Sequence, residues 1–159
     1  MVKRLLVAVL ASCFLAGIVP AGENPAVKDW QGFLSKFPLG VMTTVEGNQP
    51  RTRIFQFLWT EGERTYFSTG NYKDVYTQMQ ANNRVSFCTW DPKGNVVLSV
   101  DGPVTFVPDL AAKEKAMTVH PDLKEMYKSP DNPKFAIFYI QPEAIYTFSF
   151  AAGKEWIKH

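Results

Sequence analysis

The segment Arg51-Thr52-Arg53-Ile54-Phe55-Gln56-Phe57-Leu58-Trp59, residues 51–59, decides the fold. Side chains of a β-strand point alternately to its two faces, so this segment divides into two sets. One face carries two arginines and three aromatic rings: Arg51, Arg53, Phe55, Phe57 and Trp59. The other face carries Thr52, Ile54, Gln56 and Leu58. The alternation predicts a strand with a buried aromatic face, and a buried arginine on that face needs a partner for its charge.

Segments of the same kind lie on both sides of residues 51–59. Apolar or alternating runs bounded by turn residues predict six more strands, at residues 39–45, 65–69, 84–90, 96–107, 135–140 and 144–150. Gly102-Pro103 predicts a bend or bulge within the longest of these strands. Four helices are predicted, one from the Asn24-Pro25 cap to Phe37 and the others at residues 72–81, 110–119 and 121–127. Residues 151–159 are not assigned. Because the strands follow one another without a regular βαβ alternation, we expect a mainly β fold, an antiparallel β-barrel with peripheral helices.

Residues 1–21 have the layout of a secretory signal peptide. Lys3 and Arg4 precede a 15-residue apolar run, which is shorter than the roughly 20 residues that a membrane-spanning helix needs. Small residues end at Ala21, where we expect cleavage. Residues 10–13, Leu-Ala-Ser-Cys, also resemble a lipobox, so lipid attachment at Cys13 is the alternative. We therefore expect a single domain over residues 22–159, exported to a bacterial periplasm or secreted, with no transmembrane span in the mature chain.

The composition excludes several classes of function. Of the 159 residues, 46% are hydrophobic and 20% are charged, which is an ordinary globular balance. The net charge of +2 comes from Lys3 and Arg4 in the leader and is too small to indicate a nucleic-acid-binding surface. The only histidines are His120 and His159, and no group of His, Cys and carboxylate residues has the spacing of metal ligands. We interpret His120 as a surface residue at a helix end and Cys88 as a buried structural thiol.

The run Ser68-Thr69-Gly70-Asn71-Tyr72-Lys73 joins a predicted strand to a predicted helix. The first N–H groups of a helix have no intrahelical partner, and the helix dipole favours an anion beside them. Thr69 adds a hydroxyl, Lys73 adds a positive charge and Gly70 allows close approach of the backbone, so the run is suited to a phosphate. If strands 51–59 and 65–69 pair, Arg53 reaches the same anion and can bind it bidentately. The alternative is that Thr69 or Asn71 is an ordinary helix cap and Lys73 a solvated charge.

Taken together, these segments resemble the pyridoxamine 5′-phosphate oxidase-like family of FMN-binding split β-barrels. The resemblance rests on residues 49–57 (QPRTRIFQF), 66–69 (YFST) and 73–87 (KDVYTQMQANNRVSF), and residues 98–102 and 129–133 look like the small members of the family. It covers about residues 26–150. The resemblance implies a homodimer with one FMN in each of two clefts at the subunit interface.

The resemblance also implies which residues hold the cofactor. The strand that begins at Arg53 would contact the flavin ring or the phosphate, while Ser68, Thr69 and Lys73 would hold the phosphate. Tyr72 stands where some relatives have another basic residue. The expected cofactor-binding set is Arg51, Arg53, Ile54, Phe55, Gln56, Phe57, Ser68, Thr69, Tyr72 and Lys73. The partner subunit would cover the ring with residues near Val97 and with its C-terminal segment. The chain has no C-terminal Arg- and His-containing segment of the kind that holds pyridoxal phosphate, so we do not expect vitamin B6 oxidation.

Three functions stay open at this point. The expected one is an FMN-dependent oxidoreductase or electron-transfer protein with an unidentified substrate or redox partner, because no side chain is an obvious acid or base and the flavin would carry the redox chemistry. A non-enzymatic binding module on the same fold, holding haem or another small cofactor, is the alternative, and His120 is the only mid-chain histidine for a haem. In a structural protein, the aromatic face would form a dimer core and both arginines would pair only with protein carboxylates.

Overall fold

The computed structural model describes residues 29–159. The expected signal peptide, the lipidation site Cys13 and the Asn24-Pro25 helix cap lie outside these residues. The helices are α1 Trp30–Lys36, α2 Asp74–Ala81, α3 Leu110–Val119 and α4 Pro121–Tyr127. The strands are β1 Leu39–Glu46, β2 Gln49–Gln56, β3 Trp59–Glu61, β4 Arg64–Gly70, β5 Arg84–Asp91, β6 Val96–Val107, β7 Phe135–Ile140, β8 Ala144–Ser149 and β9 Gly153–Lys158.

The long strand β6 joins the two halves of an antiparallel sheet with the order β2-β1-β5-β6-β7-β4-β3. Residues 96–101 of β6 pair with β8, which in turn pairs with β9, and residues 104–107 pair with β7. The predicted bend at Gly102-Pro103 coincides with this change of partner. A Cβ atom on Gly102 would overlap the backbone oxygen of Gln141, so glycine permits the close approach of the two chains. The expected mainly β fold, antiparallel with peripheral helices, is confirmed.

The apolar residues form two clusters, on opposite faces of β4 and β7. Phe67 and Phe138 are fully buried in the barrel interior together with side chains of β1, β5 and β6. Their neighbours Tyr66 and Ile137 point the other way and are covered by α3 and α4, for example by Leu123. This second cluster holds α4 beside β4. Within the part of the chain that the structure describes, no helix is long and apolar enough to cross a membrane.

The segment 51–59 differs from the single strand that its alternation predicts. β2 ends at Gln56, and the chain then passes from one sheet to the other. Phe57 donates its N–H to the Pro38 carbonyl at 2.7 Å, and Leu58 donates to the Tyr66 carbonyl at 3.0 Å. The predicted pairing of this segment with residues 65–69 is therefore wrong in part, because β2 pairs with β1 and only the following β3 pairs with β4.

Other predicted boundaries also move. Trp59 belongs to β3 and stacks on Tyr66 with ring centroids 4.6 Å apart, so it does not share a face with the arginines. Helix α1 begins at Trp30 because Asp29 caps it, accepting from the Gly32 N–H at 2.8 Å. Helix α2 begins at Asp74, two residues later than predicted. The unassigned tail contains β9, which pairs with β8.

Candidate functional site

A cavity of about 210 Å³ lies between β2, the end of β4, the start of α2 and α4. β2 is the edge strand of the sheet, so no strand within residues 29–159 pairs with its far side. Seven of the ten expected cofactor-binding residues line this cavity: Arg53, Ile54, Phe55, Gln56, Ser68, Thr69 and Lys73. The structure thus brings Arg53 to the run of residues 68–73 although β2 and β4 do not pair, because both border the same cavity.

The Arg53 guanidinium is held by neutral oxygen atoms. Its Nη1 donates to Thr44 Oγ1 at 2.8 Å, and its Nη2 donates to Gln78 Oε1 at 3.0 Å. Thr44 Oγ1 donates in turn to Gln78 Oε1 at 2.7 Å, and both of these side chains are buried. Among residues 29–159, no carboxylate forms an ion pair with Arg53. Its charge is therefore oriented without being neutralised, and the fork keeps N–H donors for a ligand.

Further donors border the cavity beside Arg53. The hydroxyls of Ser68 and Thr69 and the ammonium of Lys73 make no hydrogen bond to any residue in the described range 29–159. Lys73 is the N-cap residue of α2, and no side chain caps this helix, so its first N–H groups, including that of the cavity-lining Val75, stay available. The alternative in which Asn71 or Thr69 caps the helix is therefore wrong.

The backbone of β2 offers hydrogen-bonding groups to the same cavity. Phe57 donates to the Pro38 carbonyl one residue beyond the Leu39–Gln56 pair that ends the β1–β2 register. Because hydrogen-bonded pairs alternate along an antiparallel ladder, residues 55 and 53 also direct their backbone groups at β1. Ile54 and Gln56 alternate with them, so their N–H and C=O groups point away from β1, toward the free edge of β2. A planar ligand lying along this edge could form hydrogen bonds to the backbone.

Three expected cofactor-binding residues do not line the cavity. Arg51 lies near the hairpin turn and pairs with Glu46, its Nε 2.8 Å from Oε2, on the exposed surface. Phe57 is buried in the barrel core against Phe67, because the chain crosses from β2 to β3 at this residue. Tyr72 is 62% exposed in the loop before α2.

Helix α4 supplies the wall that sequence reasoning missed. His120, Asp122, Leu123, Met126 and Tyr127 all line the cavity. The interpretation of His120 as a surface residue at a helix end is right about the helix end, since His120 lies between α3 and α4. It is wrong about the surface, since the ring is half-buried, with Nδ1 2.9 Å from Gln56 Nε2 and Nε2 3.4 Å from the Leu58 carbonyl. The spacing of Leu123 and Tyr127 indicates one buried helix face. It does not indicate which strand that face meets.

Tyr127 is a neutral group in the cavity wall. Burial raises the pKa of its phenol to about 12, with a smaller contribution from Tyr72. Its ring stacks on Phe135 of β7 with centroids 4.4 Å apart, which fixes α4 against the sheet. Near neutral pH Tyr127 therefore adds no negative charge, and Asp122 is the one acidic residue that lines this cavity in the described part of the chain.

Cys88 and the other His, Cys and carboxylate side chains of residues 29–159 do not form a metal site. Cys88 is half-buried in β5, and burial raises the pKa of its thiol, opposed by a hydrogen bond to Ser99. The thiol is therefore protonated near neutral pH. In the described range 29–159, no three His, Cys, Asp or Glu side chains come together as a group that could hold a metal ion.

The fold and the site define a class of protein: an antiparallel β-barrel in which the edge strand β2, the end of β4 and the start of α2 border a cavity lined by guanidinium, ammonium and hydroxyl donors. The chain belongs to the pyridoxamine 5′-phosphate oxidase family, because the family model described by that name matches residues 26–149. A comparison with curated proteins gives no match.

Solved structures share this fold. A NimC/NimA family protein from Clostridium acetobutylicum is 28% identical, with a TM-score of 0.72 over 82% of this chain and 93% of that chain. A haem-binding protein from Mycobacterium smegmatis is 10% identical, with a TM-score of 0.70 over 86% of this chain and 59% of that chain. An FAD-binding protein from Mesorhizobium loti is 19% identical, with a TM-score of 0.58 over 72% of this chain and 87% of that chain.

Proposed function

We propose that this protein binds FMN in the cavity beside β2 and acts as an oxidoreductase or electron-transfer protein. The observation that carries the proposal is the donor set: Arg53, held by neutral oxygens, faces the same cavity as the free donors Ser68, Thr69 and Lys73. A dianionic phosphate is the group that such donors match, because each of its oxygens accepts charge-assisted hydrogen bonds.

The rest of the cavity suits the flavin ring. The free N–H and C=O groups of Ile54 and Gln56 lie along the β2 edge, and a flavin has a polar rim that can hydrogen-bond to them. The apolar side chains of Phe55 and Leu123 line the same space. When bound, FMN would supply hydride or electron transfer, while these residues bind it, orient it and exclude water.

A homodimer is part of the proposal, because one face of the sheet carries exposed apolar residues. Cross-strand pairing places Ile54, Val41, Cys88, Ser99, Tyr146 and Trp156 in one row across six strands. Trp90, Val97 and Phe148 form a second row beside it. Asp101 Oδ1 on this face is buried and has no hydrogen-bond partner among residues 29–159. A second subunit would cover both rows and could supply the missing donor.

Haem fits the site less well than FMN. Both ring nitrogens of His120 already have partners within the chain, so its ring is not set up as an axial ligand. The absorbance spectrum of protein isolated from its native compartment separates the two cofactors, since flavin and haem have different visible bands. A Soret band in place of flavin absorbance would replace this proposal by a haem-binding function.

The purely structural function also fits less well. In a purely structural protein, both arginines would pair only with protein carboxylates, and Arg51 does pair with Glu46. Arg53 instead uses two neutral acceptors, Thr44 and Gln78. A charge that is buried in part and kept free of carboxylates is the arrangement of a ligand site.

The test is an FMN titration, followed by quenching of flavin fluorescence. We expect the wild-type chain to bind FMN and Arg53→Ala and Lys73→Ala each to weaken binding by about tenfold or more, since each removes a charged donor. Arg64→Ala, which removes an exposed charge at the start of β4, is the matched control and should bind like the wild type. Colourless protein with no thermal shift in excess FMN would reject the proposal.

Export of the mature chain is also a proposal. It rests on the leader sequence, residues 1–21. N-terminal sequencing of the protein from a periplasmic extract should begin at Gly22, whereas a lipid-modified Cys13 at the N-terminus would favour anchoring.

A further inference from the structure

Both ring nitrogens of His120 are engaged at the rim of the cavity. Nε2 lies 3.4 Å from the Leu58 carbonyl oxygen, which can only accept, so the proton of the neutral ring is on Nε2. Nδ1 is then an acceptor, and the Gln56 side-chain nitrogen donates to it over 2.9 Å. The Leu58 contact therefore decides which atom of Gln56 faces the ring.

This chain of contacts orients the Gln56 amide. If the amide turned by half a rotation, its oxygen would face Nδ1 and two acceptors would oppose each other. Gln56 Oε1 accepts no hydrogen bond from any residue of the described range, and it is not among the buried unpartnered atoms. Because Gln56 lines the cavity, this oxygen is an accessible acceptor beside the β2 edge.

We propose that His120 is a positioning residue, which together with the Leu58 carbonyl holds Gln56 so that Oε1 accepts a hydrogen bond from an N–H of the bound ligand. The inference rests on the FMN-binding function proposed above, and the pyrimidine part of the flavin ring carries such an N–H. His120 acts through Gln56 and does not touch the reacting atoms.

The tautomer of His120 can be tested without any cofactor. In the His159→Asn chain, His120 is the single histidine, so long-range proton–nitrogen NMR reports its ring alone. At mildly alkaline pH we expect a protonated Nε2 and an unprotonated Nδ1. A proton on Nδ1 would turn the oxygen of the Gln56 amide toward the ring, and this result would overturn the proposal.

A double-mutant cycle tests whether His120 acts through Gln56. We expect His120→Leu and Gln56→Leu each to raise the FMN dissociation constant about threefold to tenfold. The double variant should lose no more FMN affinity than Gln56→Leu alone, because His120 works only by orienting Gln56. His120→Asn keeps an oxygen acceptor for the Gln56 nitrogen and should bind FMN within about twofold of the wild type. Additive losses, or no loss in His120→Leu, would overturn the proposal.

Two controls separate the possible failures. Gln49→Leu changes an exposed glutamine of the same strand and should leave FMN binding unchanged, and melting temperatures show whether each variant is folded. If the wild type does not bind FMN, or if Arg53→Ala binds it equally well, the proposed function fails and this inference fails with it. If Arg53→Ala weakens binding and His120→Leu does not, only the positioning role is rejected.

Discussion

Gln78 is the residue on which the orientation of Arg53 depends, and it also keeps the charge of Arg53 available. A single atom, Oε1, accepts from both Arg53 Nη2 and Thr44 Oγ1. Glutamate in the same place would accept both bonds equally well, but its charge would cancel that of the guanidinium. The uncharged amide therefore orients the donor and leaves the local field positive for a phosphate.

Replacing Gln78 by glutamate tests this reasoning. We expect Gln78→Glu to weaken FMN binding about tenfold, because the carboxylate competes with the phosphate for Arg53. Gln80→Glu adds the same charge on the exposed side of the same helix and should change the affinity much less, which makes it the matched control. Equal affinities for Gln78→Glu and the wild type, measured by the same titration, would show that Arg53 does not carry the phosphate.

At the scale of elements, the strand β6 organises the fold because it changes partners in its middle. Its bounds, residues 96–107, and the bend at Gly102-Pro103 follow from the sequence alone, since the apolar run and the two breaking residues are local signals. The division of residues 51–59 into β2 and β3 does not follow from local signals. The alternation continues through Phe57 and Leu58, and only hydrogen bonds to two different sheets interrupt it.

Gly102 permits this change of partners. A side chain there would overlap the Gln141 backbone, which cannot move without disturbing the start of β8. We expect Gly102→Ala to lower the free energy of unfolding by about 1–3 kcal/mol or more, measured by urea denaturation. In Gly94→Ala, the nearest atom belongs to the Asp91 side chain, so this control should be affected less. A Gly102→Ala protein of unchanged stability would mean that the crossing is loosely packed.

At the scale of elements, the candidate site also follows only in part from the sequence. The residues on β2, β4 and the start of α2 belong to continuous sequence runs, and their donors can be recognised there. The wall formed by α4 cannot be recognised, because α4 is about 65 residues away from β2 in the chain. Only the packing of the second apolar cluster and the hydrogen bond between His120 and Gln56 place it at the cavity. Thr44 and Gln78 escape prediction for the same reason, since a buried polar side chain gains its role from the partner it reaches.

For the whole molecule, the proposed dimer face and the proposed cofactor site are adjacent. Ile54 belongs to both, because it lines the cavity and also begins the apolar row that crosses the sheet. An apolar groove of about 390 Å³ continues from it past Leu39 and Trp90. If a second subunit covers this face, the flavin ring at the β2 edge lies close to the interface, as the proposed homodimer requires.

Trp90→Glu tests the proposed dimer. We expect the wild-type protein to sediment as a dimer, and Trp90→Glu to shift it toward the monomer, because a charge in an apolar interface must lose its hydration. FMN affinity should fall in parallel if the cofactor binds at the interface. Leu110→Glu is the matched control, because Leu110 is similarly exposed, 48% against 49% for Trp90, but lies on α3. A wild-type chain that is monomeric with FMN bound would contradict the proposed assembly.

The sequence by itself determined most strands and helices, the mainly β class and the family, and it predicted the donors of the candidate site, because periodicity, turn residues and short motifs are local properties of the chain. Only the tertiary structure decided that Arg53 is supported by Thr44 and Gln78, that α4 closes the cavity and that His120 holds Gln56. Each of these contacts joins residues distant in sequence, and its energy exists only when packing brings the two groups within hydrogen-bonding distance.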